Sequence, residues 1–397
     1  MPRLPHLNAR LQGFGTTIFA EMSALAAKTG AINLGQGFPD TDGPPEVSAA
    51  AIEAIGRGEN QYPPGPGTPD LRQAVAEHQQ RFWSMTTDPD TEVLVTAGAT
   101  EAIAATLLAL CEVGDEVIVF DPTYDSYAAS IAMAGAKIRP VLLSPDNGTG
   151  RYAFDPGELR AAFSARTRLV LLNTPHNPTG KVFTRTELDL VAELCRQHDV
   201  VAVTDEVYEH LVFEGTHVPL ATLPDMADRT VTISSGGKTF SFTGWKIGWA
   251  VASPELITAI RTAKQFLTFV NGAPFQPAIA VGLRLGDSYY EQFVADLRAK
   301  RDLLGALLTE AGFTVLEPEG TYFTTVDISS SGGASKGESD GIEFCLGLPE
   351  RAGVVAVPSQ VFYQHPTAGR SMVRFCFAKR DEVLRAAGRR LIDAFAG

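Results

Sequence analysis

The chain has 397 residues, which at about 150 residues per domain suggests two or three domains. Hydrophobic residues make up 45% and charged residues 20%, and no apolar run approaches the roughly 18 to 20 residues of a spanning helix, which argues against a membrane-spanning or disordered chain. Acidic residues outnumber basic ones 46 to 33, and the resulting net charge of −13 opposes non-specific binding to nucleic acid or anionic lipid.

The N-terminal stretch MPRLPHLNARLQGFG lacks the apolar run of about 7 to 15 residues of a secretory signal, so a cytoplasmic location is expected. From residue 92 to residue 252, short β-branched runs alternate with longer Ala/Leu-rich segments, the pattern of βαβ units on a mainly parallel sheet. Predicted strands are 92–96, 116–120, 168–173, 200–204, 230–234 and one near 249–252. All are short and apolar, as strands buried on both faces should be. Helices are predicted at 99–110 and 186–198, the second opening on a Thr184 to Glu187 capping box. After residue 285 come a long helix at 289–311, a strand-like GTYFTTVDI and a Gly/Ser-rich tract at 328–341 that reads as a mobile surface loop. Strands at 353–358 and 371–378 and a closing helix at 381–395 complete a second, smaller α+β unit. There is no internal repeat. Cys111, Cys195, Cys345 and Cys376 stand far apart, which suggests buried free thiols rather than disulfides or a zinc site.

Polar residues cluster directly after the predicted strands, where open α/β sheets bind ligands. TAGATEAI places Gly98, Ala99 and Thr100 at a strand-to-helix turn that is either an ordinary tight turn or an anion site. DPTYDSY puts Tyr124 at the end of the next strand, as core or as a stacking platform. NTPHNPTG contributes Asn177 and TDEVY contributes Asp205 and Tyr208. Asn177 could donate an amide hydrogen bond to a ligand, though loop structure alone would explain its segment, and Asp205 by itself reads first as the cap of a following turn. SSGGKTFSFTGWKIG carries Lys238 and Lys246 among glycines and aromatics rather than other charges.

Gly237-Lys238-Thr239 matches the end of a phosphate-binding P-loop, but its first glycine would fall on Thr232. GQGFPD and GPGTPD end on Asp40 and Asp70, so neither completes a dinucleotide fingerprint. The seven histidines include no helical metal-binding pair, and no metal is expected. The set does meet the needs of pyridoxal phosphate chemistry. Lys238 can form a Schiff base, Asp205 can keep the ring nitrogen protonated, the Gly98 turn can hold phosphate, and Asn177 with Tyr208 can hold the ring oxygen.

GQGFPD, NQYPPGPG, NTPHNPTGKVF, TDEVYEHL, SSGGKTFSFTGWKIGW and MVRFCFAKR occur in the order seen in class I/II aminotransferases of fold type I, and the resemblance covers nearly the whole chain. In particular it resembles the branch holding kynurenine, glutamine and methionine aminotransferases and the actinobacterial N-succinyldiaminopimelate aminotransferases. It implies an α/β fold with a mainly parallel seven-stranded sheet between helices plus a smaller α+β domain. The implied division is an arm and part of the small domain at 1–45, a large cofactor domain at 46–285 and the rest of the small domain at 286–397.

The resemblance also assigns roles. Lys238 is the Schiff-base lysine and proton carrier, Asp205 lies on the ring nitrogen, and Tyr208 and Asn177 lie on the ring oxygen. Gly98, Ala99, Thr100, Ser235 and Lys246 hold the phosphate, Tyr62 reaches it from a second subunit, and Tyr124 stacks on the ring. Much of the wider family has arginine where this chain has Lys246, but a point charge also neutralises phosphate. Arg374 takes the substrate α-carboxylate, which suits its planar fork, helped by Gly37 and closed over by Phe19. The segment 266–276 borders the neighbouring subunit's pocket in a homodimer.

The implied reaction moves an amino group between an L-amino acid and a 2-oxo acid, with N-succinyl-LL-2,6-diaminopimelate and 2-oxoglutarate favoured, in lysine and cell-wall precursor synthesis. The alternatives are a broad methionine, glutamine or kynurenine (aromatic) aminotransferase and a cysteine-conjugate β-lyase. A non-enzymatic reading, a pyridoxal phosphate-sensing domain, is disfavoured because GQGFPD already begins at Gly35, leaving too little chain before it for a DNA-binding module.

Overall fold

A computed structural model describes residues 5–146, 150–329 and 340–396. Its centre is a seven-stranded sheet formed by β1 (Val93–Ala97), β2 (Glu116–Asp121), β3 (Lys137–Leu142), β4 (Thr167–Asn173), β5 (Val201–Asp205), β6 (Thr230–Ser235) and β7 (Ile247–Val251), in the order β1-β7-β6-β5-β4-β2-β3. The pairs among β3, β2, β4, β5 and β6 are parallel, whereas β7 runs antiparallel to both its neighbours, β1 and β6. Six of the seven strands were legible as apolar runs. The seventh, β3, reads KIRPVL, and its burial alternates because it lies at the sheet edge and pairs only with β2. Lys137 and Arg139 reach solvent there, and Pro140, which lacks a donor, is tolerated at an edge.

Helices flank the sheet. The one at Gly98–Leu110 starts directly off β1. The one at Arg185–His198 has the expected capping box, with the Thr184 hydroxyl accepting from Glu187 N–H and the Glu187 carboxylate accepting from Thr184 N–H at 2.8 Å.

A four-stranded sheet carries the C-terminal part: β8 (Thr314–Leu316), β9 (Phe323–Asp327), β10 (Val357–Pro358) and β11 (Met372–Cys376), in the order β8-β9-β11-β10. The single strand expected at 353–358 is two pieces serving different sheets. Val354–Val355 pairs in parallel with Ile32–Asn33, and after Ala356 the chain turns to pair β10 with β11. This arrangement ties the N-terminal segment to the last third of the chain. Met22 and Ala26, on the helix Ile18–Thr29, share one apolar cluster with Phe344, Leu348, Val373 and Leu384. The long helix runs Asp287–Glu310 and the closing helix Asp381–Phe395. Of the tract expected to be a surface loop at 328–341, residues 330–339 lie outside the described residues; at its ends Ile328 is buried and Asp340 caps the helix Gly341–Ala352. All four cysteines are free thiols. Among the described residues no helix is long and apolar enough to cross a membrane.

Candidate active site

The carboxyl ends of β1, β2, β4, β5 and β6 lie at one edge of the sheet, and because β7 is antiparallel its start lies at that edge too. Six separate sequence segments therefore reach a single cleft. Gly98, Ala99, Thr100, Tyr124, Asn177, Asp205, Tyr208, Ser235, Lys238 and Lys246 all line it.

One end of the cleft is built for an anion. The helix Gly98–Leu110 points its free N–H groups there, and the Lys246 side chain comes so close that a Cβ on Gly98 would sit 3.1 Å from its Nζ. Gly98 has φ +75°, a second reason for glycine at this turn. Gly248, on the adjacent β7, permits the approach: a Cβ there would lie 2.6 Å from the Gly98 carbonyl carbon and 2.7 Å from the Ala99 nitrogen, both backbone atoms that cannot swing away. Gly248→Ala is therefore expected to displace the helix start, at about 1–3 kcal/mol of overpacking. Affinity for pyridoxal phosphate should fall about tenfold or more, measured by titrating the dialysed variant. Unchanged affinity would show that the helix start does not hold the anion.

Further in, Asp205 is buried at the end of β5, and burial pushes its carboxyl up to about 6, opposed by hydrogen bonds from the Tyr127 hydroxyl at 2.5 Å and the Val207 N–H at 3.4 Å. Among the described residues no lysine or arginine pairs with it within 4.0 Å, so a buried acid faces the cleft without a cation. Lys238 sits in the short turn of helix after β6, its Nζ 3.4 Å from the Gly37 carbonyl. Burial lowers its ammonium to about 8, with Lys246 and Arg374 adding repulsion and Asp205 opposing. Cys376 adds no charge at neutral pH, because burial raises its own thiol.

Arg374, on β11, is 1% exposed and has no acidic partner among the described residues. Its Nη1 donates to Asn177 Oδ1 at 2.8 Å and its Nη2 to the Gly35 carbonyl at 3.1 Å, while Nε has no partner. Aromatic rings enclose the guanidinium: Phe323 at 3.9 Å, Phe362 at 5.1 Å and Phe19 at 5.2 Å from their centroids. The Gly37 carbonyl also accepts from the Tyr322 hydroxyl at 2.6 Å. An aromatic cage around a buried cation that lacks an anion suits a carboxylate brought by a ligand.

These features fit pyridoxal phosphate: an anion cradle, an acid lacking a cation, and an amine between them whose proton burial loosens. Tyr62 is the one expected residue the single chain does not bring in. It is 82% exposed and stands edge-on to Phe269 at 5.5 Å.

Three residues that touch the site's machinery were not singled out from sequence. Asn173 donates through Nδ2 to the Asp205 carbonyl at 2.7 Å and accepts the Asn177 N–H through Oδ1 at 2.7 Å, linking the acid to the neighbour of Arg374. Tyr127 holds Asp205, and Tyr322 holds the Gly37 loop. Asn173 and Tyr127 lay inside quoted motifs, but only the fold shows which way they face.

The segment Glu206–His210 also feeds a separate buried polar cluster. Donor atoms of His78, Glu209 and His210 lie within 4.8 Å of one another, an association invisible to spacing because 132 residues separate the two histidines. Glu209 already accepts from Trp83 Nε1 at 2.6 Å and Ser234 Oγ at 2.7 Å, and the imidazoles bond each other at 2.7 Å, while His78 Nδ1 is buried without a partner.

The family model for aminotransferase class I and II matches residues 29–391. The probable N-succinyldiaminopimelate aminotransferase DapC of Mycobacterium tuberculosis is 51% identical over 393 residues, covering 96% of this chain and 97% of that one. The solved structure of N-succinyldiaminopimelate aminotransferase from the same organism aligns with a TM-score of 0.94 at 50% identity, covering 98% of this chain and all of that one. The methionine aminotransferase of Escherichia coli is 41% identical over 391 residues, 98% of each chain.

Proposed function

Because the chain belongs to the class I and II aminotransferase family, we propose that its substrate pair is N-succinyl-LL-2,6-diaminopimelate as amino donor and 2-oxoglutarate as acceptor. The protein is a pyridoxal phosphate-dependent aminotransferase of fold type I. The observation that carries the substrate reading is the 51% identity, over nearly the whole of both chains, to the mycobacterial relative of that name. The Escherichia coli relative makes a methionine aminotransferase the second reading. The test is a donor panel of N-succinyldiaminopimelate, methionine, glutamine and kynurenine, following the loss of the bound cofactor's visible absorbance with donor and its return with 2-oxoglutarate. The highest kcat/KM should fall to N-succinyldiaminopimelate, and a higher value for methionine would overturn the assignment.

When bound, pyridoxal phosphate supplies an aldehyde that captures amines and a protonated ring that draws off negative charge. In our reading the Gly98–Thr100 amides, Ser235 and Lys246 hold its phosphate, and Asp205, as the anion, keeps its ring nitrogen protonated. Tyr208 and Asn177 donate to the ring oxygen, and Tyr124 covers a face of the ring. Asn177 can serve both ligands, since its Oδ1 accepts from Arg374 and its amide N–H groups remain for the cleft it lines. Arg374 takes the α-carboxylate, with the Gly37 backbone beside it and Phe19 closing over it. Lys238 Nζ then carries the proton away from the substrate α-carbon, for which it must be the neutral amine.

A second copy of the chain completes the site in this reading. Tyr62 and Phe266 are each 82% exposed, and Phe269 and Leu267 join them in an apolar patch that a partner subunit would cover. The segments 1–45 and 286–397 would move together against 46–285, as the pairing of Ile32–Asn33 with Val354–Val355 favours. The dimer is checked by light scattering, and a monomer that turns over at the full rate would sink it.

A further inference from the structure

We propose that Tyr127 is a positioning residue for the reaction, its phenol O–H fixing the orientation and the ionised state of the Asp205 carboxylate. The proposal rests on the reading of Asp205 as the acid on the cofactor's ring nitrogen. Tyr127 lies in the first turn of the helix Asp125–Ala134, which follows β2, whereas Asp205 ends β5, 78 residues later in the chain. The sheet brings them together: the phenol donates to Asp205 Oδ2 at 2.5 Å, the length of a charge-assisted O–H···O⁻ bond, and Tyr127 is only 2% exposed. Asp205 Oδ1 receives only the longer 3.4 Å bond from Val207, so it is the oxygen with accepting capacity to spare.

The other ionisable groups around Asp205 do little to keep it charged. Glu206 repels the anion, and Tyr124 and Tyr208 are neutral phenols raised by burial. Lys238 favours the anion but must itself become neutral to act. Burial already carries the carboxyl up to about 6, and among the hydrogen bonds that oppose the rise, that of Tyr127 is the larger. Without it Asp205 would approach neutrality at working pH and lose its hold on a ring proton. The competing explanation is that Tyr127 merely fills the apolar cluster it shares with Ala102, Ile131 and Val203.

Tyr127→Phe separates the two, because it keeps the ring and removes the donor. In the cofactor-free protein, NMR of carbon-labelled aspartate should show Asp205 titrating about one pH unit higher than in the unaltered protein. In the holoenzyme kcat should fall about 10-fold with donor KM within about twofold, since one unit of acid strength corresponds to about tenfold in rate. Fluorotyrosine at position 127, a stronger donor of similar shape, should move the Asp205 titration downward, which keeps the proposal testable should the phenylalanine variant fold poorly. Identical Asp205 titrations in all three proteins would overturn the proposal. So would a normal kcat with raised KM. Should the unaltered protein fail to take up pyridoxal phosphate, the functional reading falls, while the cofactor-free titration still decides the role of Tyr127.

Discussion

Replacing Lys238 with alanine is expected to lower turnover by about 10⁴-fold or more while leaving pyridoxal phosphate bound, because the variant keeps the proposed phosphate cradle and Asp205 but loses the proposed proton carrier. The amine is suited to that task by burial, which brings it to about 8 from an ordinary 10.5. The same shift sets the pH dependence of covalent capture of added cofactor by the cofactor-free protein: the rate should rise about tenfold per pH unit and level off near 8. A profile still climbing at pH 10 would mean an ordinary exposed lysine. The shift also has a sign in stability. A charged Lys238 costs the folded state, fully so below pH 8, and as the pH rises from 8 toward 10.5 the folded protein sheds this proton before the unfolded chain does, so the cost fades. Without cofactor, Lys238→Ala should therefore melt no lower than the cofactor-free unaltered protein at pH 7, as read by calorimetry. Normal turnover in this variant would refute the mechanism.

Arg374→Met is expected to lower kcat/KM by about 30-fold to 4,000-fold, the equivalent of the roughly 2–5 kcal/mol typical of losing one partner of a buried charge pair. Methionine roughly keeps the volume inside the Phe19, Phe323 and Phe362 cage but leaves Asn177 Oδ1 and the Gly35 carbonyl without their donor. Because amino donor and oxo acceptor both bring an α-carboxylate, KM should rise for both, while cofactor affinity stays within about threefold. Arg374→Lys should restore only part of the loss, since a single ammonium cannot offer the two-pronged fork. A variant that loses cofactor affinity but keeps its KM values would place Arg374 on the cofactor instead.

Sequence and structure contributed differently to this picture. The buried strands ending at Asn173, Asp205 and Ser235 were legible because a strand covered on both faces is written as a continuous apolar run, and the polar residue that ends the run marks the sheet edge where ligands bind. Ten of the expected site residues line one cleft for that reason. The edge strand Lys137–Leu142 was missed because solvent on one side mixes charge and proline into its pattern.

The amino-acid sequence by itself determined the chemistry: a lysine among glycines, an acid at a strand end, a helix start lined with small residues, and motifs in family order. Only the tertiary structure decided which neighbours tune those groups. Tyr127 and Asp205, Asn177 and Arg374, and Gly248 and Gly98 are 78 or more residues apart in the chain and meet only in the fold: the first pair at the ends of parallel strands, the second between the two sheets, and the third across the antiparallel pair β1 and β7. Burial, which sets Lys238 near 8 and Asp205 near 6, is likewise a property of the packed fold. Composition reports a net charge of −13, and the fold gathers Lys238, Lys246 and Arg374 where the anionic ligands are expected to bind.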